Sequence, residues 1–243
     1  MAAAYVYGLV AADAELPPDL FGIGPSGEVS AVPHRRLAAL VSDVPADRPL
    51  GTRDDLVGHE RVLDRVVAAT AVVPMRFPAV VERTDIVDEL LAPHHDRFVE
   101  ILAELDGRVQ YTLKGSYQRD EVLSEVLAAD PEIRSLRESI AGLPEDASYY
   151  DRVRLGELVV AALEARREAD AADMLRRIGP TAVATVQRRP ANPEDVIDAA
   201  FLVDRAGERE FSDVVEEVGR AFDGRARLRL LGPLAPYDFT PEE

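Results

Sequence analysis

Residues 22–27 carry the glycine pattern that could bind a phosphate. Their sequence, Gly-Ile-Gly-Pro-Ser-Gly, matches the G-x-G-x-x-G spacing of dinucleotide sites. Such a site needs the glycines to follow a strand and to open a helix, because the helix N-terminus then meets the pyrophosphate. Here residues 28–32 have the composition of a strand, and Pro17 and Pro18 interrupt the upstream side. The pattern therefore predicts a loop rather than a cofactor site.

A row of three potential metal ligands follows Pro93. His94, His95 and Asp96 are consecutive, but adjacent residues of a helix diverge by about 100°, so they cannot all face one ion. A helix that starts after the proline accounts for these residues better, and it predicts partly exposed imidazoles rather than a metal site.

His59 is the third candidate for chemistry. It shares one face of a predicted helix with Leu56, Leu63 and Val66, which favours a hydrogen-bonded histidine in or near the core. The sequence contains no G-x-S-x-G elbow and no H-E-x-x-H pair. We therefore expect no catalytic, cofactor-binding or metal-binding residues.

Composition narrows the classes of partner. The chain of 243 residues has 45 acidic and 28 basic residues, a net charge of −17, and no cysteine. That charge repels phosphate backbones and anionic lipids, so we expect neither nucleic acid nor membrane as a partner. No basic signal-peptide region opens the chain, and its longest apolar stretch, residues 66–75, is too short to span a bilayer. A cytoplasmic protein is expected.

The hydrophobic periodicity of residues 1–106 predicts a first α+β domain. Apolar residues alternate or run together in the predicted strands, and recur every three or four positions in the predicted helices. In chain order the elements are a strand over residues 5–10, a hairpin over 29–41, a helix over 53–70, an extended segment from 72 and a helix over 84–105. We expect Thr52 to cap the first helix and Pro93 to split the second.

Residues 107–232 predict a second domain with the order β-α-β-β-α-β. In chain order the elements are a strand from 109, one or two helices over 120–141, a helix over 148–178 capped by Ser148, strands over 181–187 and 196–203, a helix over 208–222 and a strand over 226–231. This order is the ferredoxin-like plan with extra helices after the first strand. The predicted fold class is α+β, with two domains.

The end of the chain predicts a stiff aromatic tail over residues 233–243. Residues 231–239 read Leu-Gly-Pro-Leu-Ala-Pro-Tyr-Asp-Phe, so glycine and proline should stop the last strand at residue 231. Tyr237 and Phe239 give the tail two anchors, which dock either on the protein itself or on a partner. Both uses stay open, and the candidate partner-binding residues are Pro233, Pro236, Tyr237 and Phe239.

A second candidate segment lies between two prolines. Pro74, Met75, Arg76 and Phe77 precede Pro78, and the prolines favour an extended chain. One interpretation is a buried edge segment whose arginine pairs with a carboxylate. The other is an edge at which a partner peptide docks as an added strand.

Several short segments together resemble the gas vesicle protein GvpL/GvpF family. In chain order they are Tyr5-Val6-Tyr7-Gly8-Leu9-Val10, His59 with Val62-Leu63, Val73-Pro74-Met75-Arg76-Phe77, Arg154-Leu155-Gly156-Glu157-Leu158-Val159, Ala200-Phe201-Leu202-Val203, and Gly232-Pro233 with Pro236-Tyr237-Asp238-Phe239. These segments follow the order of the family and are spread over nearly the whole chain. The sequence departs from the family pattern at Pro78, where the family usually has glycine, and at Leu234 and Ala235, which replace tryptophan and proline.

The resemblance implies a two-domain α+β protein with a ferredoxin-like second domain. It also implies a non-enzymatic part in building gas vesicles, in the cytoplasm and at the vesicle, with the shell protein GvpA and other accessory vesicle proteins as partners. Chaperone, nucleator and wall component all fit the resemblance. The alternative from another class is a small-ligand sensor or enzyme built on the ferredoxin-like domain.

Overall fold

The computed structural model describes residues 3–23, 27–45 and 48–241. They form two compact units, each assembled from separate stretches of sequence. Unit 1 comprises the described residues of Met1–Tyr111, Phe201–Glu208 and Leu231–Glu243, and unit 2 comprises Thr112–Ala200 and Arg209–Leu230. The predicted domain limits at residues 106 and 232 stay a prediction.

Unit 1 combines an antiparallel sheet with helices. In chain order its elements are β1 (Ala3–Ala11), β2 (Ser30–His34), β3 (Leu37–Asp43), α1 (Arg53–Ala69), β4 (Val73–Pro74), β5 (Val80–Glu82), a π-helical segment (Ile86–Leu91) and α2 (His95–Leu105). The strand order is β2-β3-β1-β4, and β5 also pairs with β1. The predicted hairpin is confirmed as β2 and β3, and the predicted split of the second helix falls at Pro93.

The central position of β1 explains its unbroken apolar sequence. Leu9 pairs with Ala39 of β3 on one side and with Val73 of β4 on the other. All seven interior residues of the strand are buried, because both faces of the sheet are covered. Phe98 and Leu102 of α2 pack with Leu9 in one apolar cluster, which is the core of the unit.

Helix α1 begins with the predicted cap. The Thr52 hydroxyl accepts a hydrogen bond from the Asp55 N–H, and the Asp55 carboxylate accepts one from the Thr52 N–H, which completes a capping box. The predicted apolar face is wrong at Leu56, which is 39% exposed. The rest of the predicted face, His59, Leu63 and Val66, is buried as expected, together with Val62.

Unit 2 has its own sheet and the long helix of the chain. The remaining elements are β6 (Arg108–Tyr117), α3 (Arg119–Ala129), α4 (Pro131–Ile140), α5 (Glu145–Ile178), β7 (Ala184–Gln187), β8 (Asp195–Asp204), α6 (Glu208–Ala221) and β9 (Ala226–Leu234). Their strands follow the order β7-β8-β6-β9. Strands β6, β8 and β9 each contribute residues to both units.

The mixed fold class with two sheets is confirmed. The order from β6 to β9 is the predicted β-α-β-β-α-β, with α3, α4 and α5 together filling the first helical position. A break at Pro131 divides α3 from α4, as predicted, because a proline at the first position of a helix needs no N–H partner. No helix in the described part of the chain has both the length and the apolar character to cross a membrane.

The predicted cap of α5 and the predicted end of the last strand are wrong. Helix α5 begins at Glu145, so Ser148 is not its cap; the Ser148 hydroxyl donates instead to the Pro144 carbonyl at 2.9 Å within the first turn. Strand β9 does not stop at residue 231 but continues through Gly232 and Pro233. Because β9 is the last strand of its sheet, a residue without an N–H is tolerated there.

Candidate functional site

His59 lies at the centre of a buried aromatic cluster in unit 1. Its ring is within hydrogen-bonding distance of two hydroxyls: Nδ1 is 2.9 Å from the Tyr5 hydroxyl, and Nε2 is 2.9 Å from the Tyr237 hydroxyl. The rings of Tyr7 and Phe77 also pack on the imidazole, with centroids at 5.7 and 5.9 Å. We call these five residues the His59 junction.

The junction holds its histidine neutral. Only 1% of His59 is exposed. Burial lowers the pKa of its imidazole to about 4, although a hydrogen bond with the Met75 backbone acts in the opposite direction. A neutral imidazole has one donor and one acceptor nitrogen, so each of the two hydroxyls can satisfy one of them. The predicted hydrogen-bonded core histidine is confirmed.

The tyrosines of the junction are also held neutral. Burial raises the pKa of Tyr5 and of Tyr237 above the usual range, and nearby charged or ionisable groups add to both shifts. The Tyr7 hydroxyl lies 2.8 Å from the Ser42 hydroxyl and accepts a hydrogen bond from the Ile23 N–H at 2.7 Å. Hydrogen bonds among the polar atoms of the junction thus connect β1, α1 and the tail.

The candidate segment between the prolines, residues 74–77, runs along the outer side of β1. Pro74 is buried and pairs with Gly8. The Met75 N–H donates to the Tyr7 carbonyl at 2.9 Å, and the Met75 side chain packs against the core. Arg76 is exposed, and Phe77 is half-buried with its ring on the junction.

This edge is poorly suited to strand addition. Its two strands, β4 and β5, have two and three residues. Pro74 and Pro78 carry no N–H, so the segment offers a partner strand fewer donors. Side chains of the segment are therefore better placed than its backbone to contact a partner.

The other candidate segment, the tail, packs within unit 1. Ala235 and Pro236 are buried, whereas Pro233 is exposed. After them, a short 3-10 turn (Tyr237–Phe239) places the Tyr237 hydroxyl on His59.

Two further contacts hold this turn. The Asp238 N–H donates to Gln110 Oε1 at 3.0 Å, and Gln110 Nε2 donates to an Asp238 carboxylate oxygen at 2.6 Å. Phe239 packs against the apolar core. Both predicted anchors, Tyr237 and Phe239, therefore pack within unit 1 of the protein itself.

The structure brings the two candidate segments together at one residue. Phe77 and Tyr237 both contact the His59 ring, at centroid distances of 5.9 and 6.4 Å. Sequence reasoning identified both segments but not their meeting point. His59 is 54 residues from Tyr5 and 178 residues from Tyr237, and no local spacing signals contacts at that distance.

The other residues considered for chemistry have structural partners. His94 flanks the start of α2 and is exposed, whereas His95 is buried, so the predicted exposure of the imidazoles is wrong at His95. The His95 Nδ1 lies 2.7 Å from an Asp96 carboxylate oxygen. Within residues 3–23, 27–45 and 48–241, no three His, Cys, Asp or Glu side chains are grouped to hold a metal. Of the glycine pattern, residues 24–26 lie outside the described residues, and the flanking Gly22 N–H donates to the Gly27 carbonyl at 2.8 Å.

Comparison with known proteins identifies the family. The family model described as gas vesicle synthesis protein GvpL/GvpF matches residues 3–241. The chain belongs to the GvpL/GvpF family. Gas vesicle protein F of Streptomyces sp. (strain CB03234) is 35% identical over 97% of this chain and 98% of that protein. Gas vesicle protein L of the same strain is 32% identical over 97% of this chain and 92% of that protein.

Solved structures of the GvpL/GvpF family share the fold. The crystal structure of GvpF from Anabaena sp. PCC7120 covers 100% of both chains with a TM-score of 0.88 at 24% identity. GvpF from Microcystis aeruginosa covers 98% of this chain and 99% of that chain, with a TM-score of 0.80 at 25% identity. Membership in the GvpL/GvpF family gives the protein a role in gas vesicle formation.

Sequence reasoning missed one further surface of this GvpL/GvpF chain. Unit 2 contains an open groove of about 990 Å³ along α5. A signal was present, because Leu155, Val159 and Leu163 recur every fourth residue within the helix. The same spacing also fits a helix packed in a core, so it could not reveal that this side of α5 is partly open.

Proposed function

We propose that the protein is a non-enzymatic assembly factor or minor shell-associated protein that binds the apolar gas vesicle shell subunit, GvpA. Other accessory gas vesicle proteins are proposed as further partners, and the gas vesicle as the place of action. The proposal builds on the family match over residues 3–241. The observation that carries it to a site is the meeting of the two candidate segments at His59.

We propose that the outer side of the His59 junction contacts the shell subunit. Two segments form this side. The segment between the prolines contributes Pro74, Met75, Arg76 and Phe77, and the tail contributes Pro233, Pro236, Tyr237 and Phe239. Within them Phe77 and Tyr237 are half-buried, so part of each ring stays available to an apolar partner. The exposed Arg76 and Pro233 would lie at the border of the contact.

The charge of the chain fits an escort for an apolar subunit. Apolar surfaces self-associate in water, and an acidic protein bound to such a surface opposes this by mutual repulsion. With a net charge of −17, this chain would confer that repulsion on a complex. The alternative, a small-ligand sensor or enzyme, gains no support from the junction, because the hydroxyls and ring nitrogens of Tyr5, His59 and Tyr237 already bond to one another.

Co-purification with the shell protein tests the proposal. The full chain, carrying an affinity tag, is expressed together with GvpA, and GvpA retained on the resin is quantified. We expect retention by the wild type, strong loss with Phe77→Ala, and wild-type retention with the matched control Tyr150→Ala, whose ring is exposed in unit 2. Circular dichroism confirms that both variants are folded.

A different result would reject the function. If the wild type retains no GvpA and native mass spectrometry finds a tightly bound small molecule, the sensor or enzyme alternative replaces the assembly role. If the wild type and Phe77→Ala retain GvpA equally, the assembly role stands and the His59 junction is not the contact.

A further inference from the structure

The groove of unit 2 has an apolar floor. It lies between α3, α5 and residues 192–194. Val122 of α3 is buried at its base, and Leu155, Val159 and Leu163 of α5 are half-buried along its side. Three residues spaced by four lie on one side of a helix, so they form a continuous apolar wall. An apolar groove beside a helix is a geometry that receives amphipathic helices.

An exposed apolar ridge borders this groove. Tyr149, Val153, Gly156 and Val160 follow one another along α5 at spacings of four, three and four. Val160 is 56% exposed, and Tyr149 and Val153 are also exposed. Spacings that alternate between four and three are those with which one helix packs along another. Gly156 has open space where a side chain would stand, so a partner backbone can approach closely there.

Three arginines line the groove without a carboxylate partner among the described side chains. They are Arg119, Arg152 and Arg167. The Arg152 guanidinium donates to the neutral Ser148 hydroxyl at 2.9 Å, and the Arg167 guanidinium donates to the Pro193 carbonyl at 3.4 Å. Both contacts position a guanidinium, and neither acceptor carries a negative charge.

Other arginines of α5 do pair with carboxylates. Arg154 pairs with Glu132, Arg166 with Asp170 and Arg177 with Glu217. Arg152 and Arg167 therefore differ from these other arginines of α5. Two acidic residues, Glu164 and Glu194, also line the groove. The lining thus carries three cations and two anions, a local excess of one positive charge in a chain whose net charge is −17.

We propose that this groove binds an amphipathic helix of a partner protein, with an apolar stripe flanked by carboxylates. The stripe packs against Val159 and Val160, and the carboxylates pair with Arg119, Arg152 and Arg167. A second copy of the chain is the less suitable occupant, because two bodies of charge −17 repel each other. The inference is independent of shell-subunit binding, since the groove residues belong to unit 2 and the His59 junction belongs to unit 1.

A designed peptide provides the probe. It has about 18 residues, or roughly 27 Å of helix, with leucines on one face and glutamates flanking them. A control peptide has lysines at the glutamate positions. Binding of each fluorescein-labelled peptide to the full chain is followed by fluorescence anisotropy. We expect the glutamate peptide to bind about tenfold more tightly than the lysine peptide, since the groove contributes unpaired guanidinium groups.

Two substitutions on the groove test the assignment. Val160→Glu places a charge on the exposed ridge, and Arg152→Glu reverses one cation; each should weaken the glutamate peptide by about tenfold. The matched controls are Val183→Glu and Arg189→Glu, which change exposed residues of unit 2 outside the groove. Both controls should stay within about twofold of the wild type. Circular dichroism checks that each variant is folded.

Several outcomes would overturn the proposal. One is equal binding of the two peptides, and another is unchanged binding by Val160→Glu and Arg152→Glu. A third is a wild-type dimer in sedimentation that Val160→Glu converts to a monomer, since the occupant would then be a second copy. Co-purification of GvpA with Val160→Glu is measured separately. If this variant loses peptide binding but still retains GvpA, the binding function of the groove is distinct from shell-subunit binding.

Discussion

Removing the Tyr237 hydroxyl isolates the bond that joins the tail to His59. In Tyr237→Phe the ring stays, so apolar packing is kept and only the hydroxyl 2.9 Å from His59 Nε2 is lost. The imidazole is 1% exposed, so water cannot readily replace the lost partner. A buried polar group left unpaired costs about 1–3 kcal/mol. We expect the free energy of unfolding to fall by that amount.

An exposed tyrosine supplies the matched control. Tyr150 is 85% exposed, and Tyr150→Phe removes a hydroxyl that water already solvates. Its effect should stay within about 0.5 kcal/mol. Both variants are unfolded in urea at neutral pH and followed by far-ultraviolet circular dichroism. Tyrosine fluorescence gives a second signal, because the chain has seven tyrosines and no tryptophan.

A small effect of Tyr237→Phe would refute the reasoning. If both variants lie within about 0.5 kcal/mol of the wild type, the hydrogen bond does not hold the tail in solution. If Tyr237→Phe is destabilised but the same change in a His59→Phe background costs as much, the loss does not come from the His59 contact. The difference between the two backgrounds measures the coupling of the pair.

Three further predictions concern unit 1. Burial lowers the pKa of His59 to about 4, from 6.5 in the unfolded chain. The contribution of the neutral His59 to the free energy of unfolding should therefore be fully present above pH 6.5 and should fall by about 3 kcal/mol as the pH drops towards 4. Urea titrations across this pH range should find a smaller loss in His59→Gln. Asp55→Ala removes the carboxylate that accepts from the Arg48 guanidinium and that completes the capping box of α1. The free energy of unfolding should fall by about 2–4 kcal/mol. An unchanged urea midpoint would show that the capping box does not stabilise the protein. Gly232→Ala places a methyl group 2.5 Å from the Tyr111 ring, at a residue whose φ of 145° favours glycine. The substitution should lower the thermal midpoint and the free energy of unfolding, the latter by about 1–3 kcal/mol. Equal midpoints of the variant and the wild type would show that the end of β9 adjusts to the methyl group.

The sequence predicted best those features that depend on neighbouring residues. Thr52 and Asp55 are three positions apart, and their types suffice to form the capping box. Pro93 and Pro131 interrupt helices through their own ring geometry, whatever packs around them. The hairpin of β2 and β3 likewise follows from strand composition on either side of a short turn.

Predictions failed where the deciding partner is remote or competes locally. Ser148 has the type of a helix cap, but the helix starts earlier, after the extended Pro144, and Ser148 then bonds back into its first turn. Pro233 has the type of a strand breaker, but the last position of β9 in its sheet lets the strand continue. Leu56 matches the helical period, yet it faces solvent because the packing of α1 is set by His59 and its neighbours.

The candidate site shows the same limit. Phe77 and Tyr237 were singled out because of the prolines near them, which constrain the chain before any folding. Their common contact with His59 exists only in the folded unit, because it joins residues from three distant parts of the chain. A single sequence indicates which segments are unusual, but the fold decides which of them meet.

The docked tail restricts how a partner can use unit 1. A partner that pulled Tyr237 out of the junction would lose its bond to His59 and expose the imidazole, at a cost of about 1–3 kcal/mol before any new contact forms. A partner that binds over the docked tail leaves the bond to His59 intact, since Arg76 and Pro233 are already exposed and Phe77 is half-buried. The tail should therefore act first as a brace of the proposed contact surface. On this view Tyr237→Phe weakens the proposed partner binding only as far as it loosens that brace, whereas Phe77→Ala removes part of the proposed contact surface directly.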